Sequence, residues 1–178
     1  MADLNLDQVP QRGPAAAPRS RSEPAFDLIE LLFFAYRDFV GDADDVLSKL
    51  GFGRAHHRVL HFVNRNPGIK VAELLDILRI TKQSLGRVLK ALVEEGHVVQ
   101  KAGEDRRQRL LFVTERGEAL ALRLADLQSA RMARALAELG PHSHAEARRF
   151  LIGLIDPAQR DGVLRLIEGA GRAPCRQA

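Results

Sequence analysis

The strongest constraint on this sequence is a pair of apolar stripes of one spacing, set close together within residues 71–92. Val71, Leu74, Leu75 and Leu78 form the first stripe; Leu85, Val88, Leu89 and Leu92 form the second. Recurrence at three and four positions puts each set on one face of a helix and on both faces of a strand, so two short amphipathic helices are predicted. Joined by a brief turn, they make a helix-turn-helix. Thr81 is placed to cap the second helix by accepting a hydrogen bond from a free backbone N–H, and Gly96 to terminate it.

With the apolar stripe of the second helix turned inward, its outward side carries Gln83, Gly86, Arg87 and Lys90, flanked by Lys82 and Ser84 at the N-terminal end. Gln can pair with adenine and Arg with guanine, while Lys and Ser meet phosphates or base edges. A glycine in mid-helix costs about 1 kcal/mol relative to alanine, and close approach of a partner's backbone would explain it. Taken alone, such a stripe is equally well a solvated charged face. Its sequel decides between the two. Residues 97–101 and 109–113 are rich in Val, Leu and Phe and flank a polar loop containing Gly103, the pattern of two antiparallel strands. The loop reads Glu104-Asp105-Arg106-Arg107-Gln108-Arg109, and from Arg79 to Arg109 eight basic residues stand against four acidic ones. A helix sized for the major groove, followed by a basic hairpin able to reach the adjacent minor groove or backbone, is a winged helix.

The rest of the chain frames this unit. Its 178 residues, 46% hydrophobic, suffice for one compact domain with appended helices. The net charge of +4 mildly favours an anionic partner. Residues 1–24, rich in Pro, Ala, Arg and Ser, show no helical or strand period and read as a disordered arm; Arg12, Arg19 and Arg21 give it some basic character. Residues 25–40 are helical in period, with Leu28, Ile29, Leu32, Phe33, Tyr36, Phe39 and Val40 on one broad face and Phe34 on the other. A helix apolar on two sides has two neighbours to satisfy, and a second subunit is one candidate. A loop with Gly41, Gly51 and Gly53 then leads to a helix over residues 54–65, stopped by Asn66-Pro67-Gly68. Phe52, Val59, Leu60, Phe62 and Val63 are its expected core residues, with His56 among them. His57 and His61 are expected on the opposite side, one turn apart; such a pair can hold a metal, but the glutamate of a zincin motif is missing, and surface or subunit-interface histidines are the preferred reading. His142 and His144, which follow a proline after a helix, are read in the same way. Thr114 is placed to cap a long helix to about residue 139. Ser143-x-x-Glu146 forms a capping-box pattern before a further helix, and Asp156-Pro157 starts the last one. The lone cysteine, Cys175, excludes an intrachain disulfide and a multi-cysteine zinc site. No leader-like apolar region and no run of about 18 apolar residues is present, so a soluble, unprocessed cytoplasmic protein with no cofactor is expected.

The stretch from Val71-Ala-Glu-Leu-Leu to Leu92-Val-Glu-Glu-Gly-His, then Asp105-Arg-Arg and Val113-Thr114-Glu-Arg-Gly117, resembles the MarR family of bacterial transcriptional regulators. The likeness covers roughly residues 26–140. Its most specific part is the wing pattern Asp-x-Arg followed by Leu/Val-Thr-x-x-Gly, with valine here in place of the usual leucine. The Thr-Lys-Gln-Ser-Leu-Gly-Arg-Val run is similar to the PetP branch. The resemblance implies that Arg107 enters the minor groove, that Asp105 orients the wing or its arginine, and that the helix over residues 81–95 reads the major groove. It also implies that the first and the C-terminal helices interlock as a dimerisation domain, and that a small anionic or phenolic effector acts between that domain and the DNA-binding part. The sensing cysteine that some relatives carry in the N-terminal helix has no equivalent.

The expected fold is therefore mainly α with a small β-wing, a winged helix-turn-helix with a helical dimerisation domain built from both ends of the chain. Its expected divisions are an arm (1–24), a dimerisation helix (25–50), a winged-helix DNA-binding domain (51–114), C-terminal dimerisation helices (115–169) and a disordered tail (170–178). The expected DNA-binding residues are Thr81, Lys82, Gln83, Ser84, Gly86, Arg87, Lys90, Asp105, Arg106, Arg107 and Arg109. The expected function is that of a homodimeric regulator on a pseudo-palindromic operator in double-stranded DNA. A winged helix that uses its basic face on an acidic protein is the alternative. An enzyme is disfavoured: nucleophile elbow, phosphate-binding glycine loop and paired catalytic carboxylates are all missing.

Overall fold

The computed structural model describes residues 24–103, 105 and 108–170. Nearly all of the expected N-terminal arm, residues 171–178 of the tail with Cys175, and the loop residues Glu104, Arg106 and Arg107 lie outside the described residues. The chain divides into two compact units, residues 1–35 and 36–178. The described part of the first is the beginning of helix α1 (Phe26–Ser48), on which Phe26, Leu28, Ile29, Leu31, Leu32, Phe33 and Phe34 are all exposed.

In the second unit α1 continues through Gly41, where the sequence pattern suggests a loop. Beyond it Val40, Ala43 and Leu47 recur at helical spacing and are buried. Burial of that stripe outweighs the roughly 1 kcal/mol that a mid-helix glycine costs. The chain then turns at Gly51, whose φ of +69° suits glycine. Helix α2 (Arg54–Arg65) follows, then strand β1 (Ile69–Lys70), α3 (Val71–Leu78), α4 (Lys82–Glu94), β2 (Val98–Ala102), β3 (Arg109–Val113) and α5 (Glu115–Ala137). The unit ends with α6 (Ser143–Leu154) and α7 (Pro157–Gly169).

The three strands form an antiparallel sheet in the order β1-β3-β2, with Ile69 opposite Leu111 and Val98 opposite Val113. Strand β1 is too short to show an alternating pattern, so the hairpin gains a third strand that its sequence does not announce. The core lies beneath the sheet and among α2, α3, α4 and the first turns of α5. Val59, Leu60 and Val63 meet Leu74, Leu78, Leu85, Leu92, Leu111 and Leu124 there. All four residues of the second apolar stripe are buried; of the first stripe Leu74 and Leu78 are buried, while Val71 and Leu75 are half-buried against the core. Only the first three turns of α5 are buried; farther along Met132 is exposed, as is Leu139 just past the helix end.

One cap differs from expectation. Ser143 is the first residue of α6 rather than its cap: His142 occupies the cap with φ +74°, and the buried Ser143 hydroxyl donates to the Leu136 carbonyl at 3.1 Å. That bond to the last turn of α5 holds the corner from inside. Asp156 does cap α7, accepting from the Ala158 N–H at 2.9 Å.

Candidate nucleic-acid interface

Helix α4 begins where Thr81 accepts the Ser84 N–H at 3.2 Å and donates its hydroxyl to Ser84 Oγ at 3.0 Å. Thr81 and Ser84 thus hold the helix start, a pairing worth about 1 kcal/mol. The turn before it passes through Arg79, left-handed at φ 50°, and Arg58 of α2 donates to the Leu78 carbonyl at 2.9 Å. The angle between α3 and α4 is therefore tied to the core helix beneath.

With Leu85, Val88, Leu89 and Leu92 buried, the far side of α4 is exposed, but it divides in two. Gln83 and Arg87, one turn apart, stand on the outer face. Lys82, Gly86 and Lys90 instead line a groove of about 860 Å³ whose opposite wall is Val99, Gln100 and Arg109 of the sheet. A methyl group at Gly86 would touch nothing within 4 Å. No contact among the described residues requires glycine there; the missing side chain widens the groove. Val93, Glu94, Val99 and Gln100 also line it, and sequence reasoning overlooks them. Helical spacing from Lys82, Gly86 and Lys90 reaches Val93 and Glu94, so that signal is present in the chain; Val99 and Gln100 depend on sheet register. Lys90 approaches Glu94 at 3.7 Å, an exposed pair of little energetic weight. Lys101 rests its ammonium over the Phe112 ring at 5.1 Å.

The wing is braced at both ends. At its tip the Gly103 N–H donates to the Gln108 carbonyl at 3.0 Å and the Gln108 N–H to the Asp105 carbonyl at 2.8 Å, which places Asp105 in the turn. At its base the Thr114 hydroxyl donates to the Gly96 carbonyl at 2.7 Å and accepts the Gly117 N–H at 3.0 Å, while Arg116 donates to the Glu95 carbonyl at 3.0 Å. The Thr-x-x-Gly pattern is thus a clasp between the end of α4 and the start of α5.

One histidine of α2 departs from its expected side. His57 is buried, 8% exposed, rather than turned outward with His61, because α2 is covered by α5, α4, α3 and β3 and has more than one inward side. Among the described residues no group of three metal-ligating side chains forms. His56 stacks on Phe52 at 4.7 Å and accepts the Gly53 N–H through Nδ1, while His97, 2% exposed, meets the Phe52 edge at 5.3 Å. Burial pushes all four imidazoles, His56, His57, His61 and His97, below their ordinary value; the nearby Arg116 adds to the effect at His97. As pH falls below about 6.5 the unfolded chain takes up protons before the folded one does. Stability should be full above that pH and decline beneath it, so urea midpoints should fall in the order pH 7.5, 6.5, 5.5. A flat series would contradict the neutral, buried state.

Residues 50–108 match the family model of the MarR family. Over 133 residues, 74% of this chain and 80% of the relative, the sequence is 45% identical to the HTH-type transcriptional regulator PetP of Rhodobacter capsulatus. The chain belongs to the MarR family. Two solved structures share the MarR architecture. Rv2887 of Mycobacterium tuberculosis, in complex with p-aminosalicylic acid, is 31% identical with a TM-score of 0.53, covering 74% of this chain and 98% of that one. A MarR-family regulator of Listeria monocytogenes complexed with 26mer DNA, 21% identical with a TM-score of 0.64 over 85% and 99% of the two chains, is a likeness of fold. This MarR-family chain is a winged-helix transcriptional regulator, and no helix among its described residues is long and apolar enough to cross a membrane.

Proposed function

We propose that the protein is a cytoplasmic homodimer that binds double-stranded DNA at a pseudo-palindromic operator, with one α4 in the major groove of each half-site, about one helical turn apart. The observation that carries this reading is the outer face of α4: Gln83 and Arg87 exposed, beside a groove edged by Lys82, Lys90 and Arg109 and opened by Gly86. In this reading Gln83 and Arg87 contact bases, while Lys82, Lys90 and Arg109 hold the sugar-phosphate strand that passes between helix and wing. Asp105 shapes the wing tip, Arg107 enters the minor groove, and Arg106 adds positive charge toward the DNA. Thr81 and Ser84 set the helix start against the DNA.

The second subunit is supported by the exposed apolar side chains of the first unit, Phe33 at 68% among them, and separately by Phe150, Leu151 and Leu154 on α6. Such surfaces cost solubility unless another chain covers them. The p-aminosalicylic acid on Rv2887 supports modulation by a small molecule.

The test is a fluorescence-anisotropy titration of operator-sized genomic fragments across salt concentration. Affinity should fall steeply and linearly on logarithmic axes as salt rises, and at least one fragment should exceed random DNA by about a thousandfold or more. Equal, weak affinity for every fragment would instead favour an acidic protein as the partner of this face.

A further inference from the structure

The turn between α3 and α4 consists of Arg79, Ile80 and Thr81, and two of these are fixed by what they touch. Ile80 packs against the core, and Thr81 caps α4. Arg79 is different. It is left-handed, at φ 50° and ψ 48°, a conformation in which a side chain crowds its own backbone and which glycine adopts far more readily. A right-handed Arg79 would carry α3 onward and send the start of α4 in another direction. Some contact therefore outweighs the strain.

That contact comes from α2. The Leu78 carbonyl belongs to the peptide unit that joins Leu78 to Arg79, so its direction and the φ of Arg79 change together. Arg58 donates to it from Nη2 at 2.9 Å, across 20 positions of sequence and in a partly buried setting. The donor stands on a fixed base, since its neighbours His57, Val59 and Leu60 on α2 are buried; the acceptor residue, Leu78, is buried as well. Helix α3 has no basic residue in its last turn, so Arg58 also brings the positive charge that the carbonyl end of a helix favours. A hydrogen bond from a charged donor is roughly twice as strong as a neutral one.

We propose that Arg58 is a positioning residue for sequence recognition: by fixing the Leu78 carbonyl it keeps Arg79 left-handed and so sets the direction in which α4 leaves the turn. The proposal rests on the DNA reading of α4 given above, and it requires no contact between Arg58 and DNA. Without the bond the turn samples a second conformation, in which Gln83 and Arg87 no longer meet the same base edges. Bidentate base contacts need both donors in register, whereas phosphate contacts made through long lysine side chains tolerate a change of angle. Discrimination between sequences is therefore lost before affinity for DNA in general.

The test has two arms, both on the full-length protein. In the first, urea midpoints are measured without DNA. Arg79→Gly and Arg79→Ala remove the same guanidinium, but only glycine relieves the left-handed strain, so Arg79→Gly should have the higher midpoint. That advantage should shrink at least about twofold when Arg58 is also replaced by alanine, because the turn is then free to leave the left-handed conformation. An undiminished advantage would show that Arg58 does not hold the turn. In the second arm, the tightest-binding genomic fragment is compared with a random duplex of the same length, at a temperature where every variant is folded. Arg58→Ala should lower the affinity ratio about tenfold or more, with the salt slope unchanged and random DNA bound within about twofold of the original affinity. Arg58→Lys, which keeps a cationic donor, should stay within about threefold of the original ratio. Adding Arg79→Gly to Arg58→Ala should restore most of the ratio, and adding Arg79→Ala should not. An unchanged ratio in Arg58→Ala would overturn the proposal, as would equal loss on both duplexes with a reduced salt slope, the mark of a phosphate contact. The two readings fail separately. A protein that ignores DNA but shows the coupling in urea loses the regulator reading and keeps Arg58 as the holder of the turn, whereas specific DNA binding that is indifferent to Arg58→Ala does the reverse.

Discussion

Gly117→Ala should lower the melting temperature by roughly 6–12 °C while leaving the helical content of the folded protein nearly unchanged. The first turn of α5 is pressed against the backbone of His97. A methyl group built on Gly117 falls inside contact distance of the His97 carbonyl oxygen, with the carbonyl carbon at 2.8 Å. The obstacle is main chain, so no side chain can swing away. His97 is itself pinned: its N–H donates to the Leu92 carbonyl at 2.8 Å, and its carbonyl accepts the Thr114 N–H at 3.1 Å. Room for the methyl must come from moving α5 away from the end of α4, which strains the Thr114 and Arg116 bonds. Overpacking of a close-packed site costs typically 1–3 kcal/mol, and a backbone clash belongs at the upper end. At 2–4 °C per kcal/mol for a chain of this size, about 3 kcal/mol gives the stated shift. Scanning calorimetry checks it; a shift of less than about 2 °C would mean that the clasp is looser than described. Because the clasp joins α4 to the wing base, DNA affinity should also fall at temperatures where the variant is still folded.

How far the fold can be read from the chain depends on whether local chemistry or distant packing decides each element. The α3–α4 pair is legible because Leu74 and Leu78, then Leu85, Val88, Leu89 and Leu92, repeat at helical spacing, and Thr81 announces its own cap. The Thr114 cap is legible for the same reason. Gly41 misleads because its helix is maintained by burial of Ala43 and Leu47, a tertiary fact that outweighs propensity. His57 misleads because α2 is surrounded, and a single apolar stripe does not describe a surrounded helix. At the site, spacing finds the exposed residues of α4 but does not separate Gln83 and Arg87 from the groove-lining Lys82, Gly86 and Lys90; that division follows from where the sheet lies. The bond from Arg58 to the Leu78 carbonyl joins positions 20 residues apart in the chain, and no local pattern foretells it.

On operator DNA the outer face of α4 should separate into residues that choose sequence and residues that only hold. Arg87→Ala should cost about 1–3 kcal/mol, roughly five- to 150-fold, on the operator and much less on random DNA, with relaxed preference at one base pair. Arg87 stands exposed one turn past Gln83 in the N-terminal half of α4, and a guanidinium presented to the major groove from there can meet both acceptors of a guanine edge. Gln83→Ala should likewise change preference more than affinity, at an adenine. Arg107→Ala on the wing is expected to behave otherwise, weakening operator and random DNA alike and lowering the salt slope by about one counterion, as loss of a backbone or minor-groove cation does. Competition titrations of each variant against a library of single-base operator changes, repeated at two salt concentrations, distinguish the classes. If Arg87→Ala weakened every sequence equally and reduced the salt slope, Arg87 would be a phosphate contact, and base choice would have to come from Gln83 or from the groove-lining Lys90.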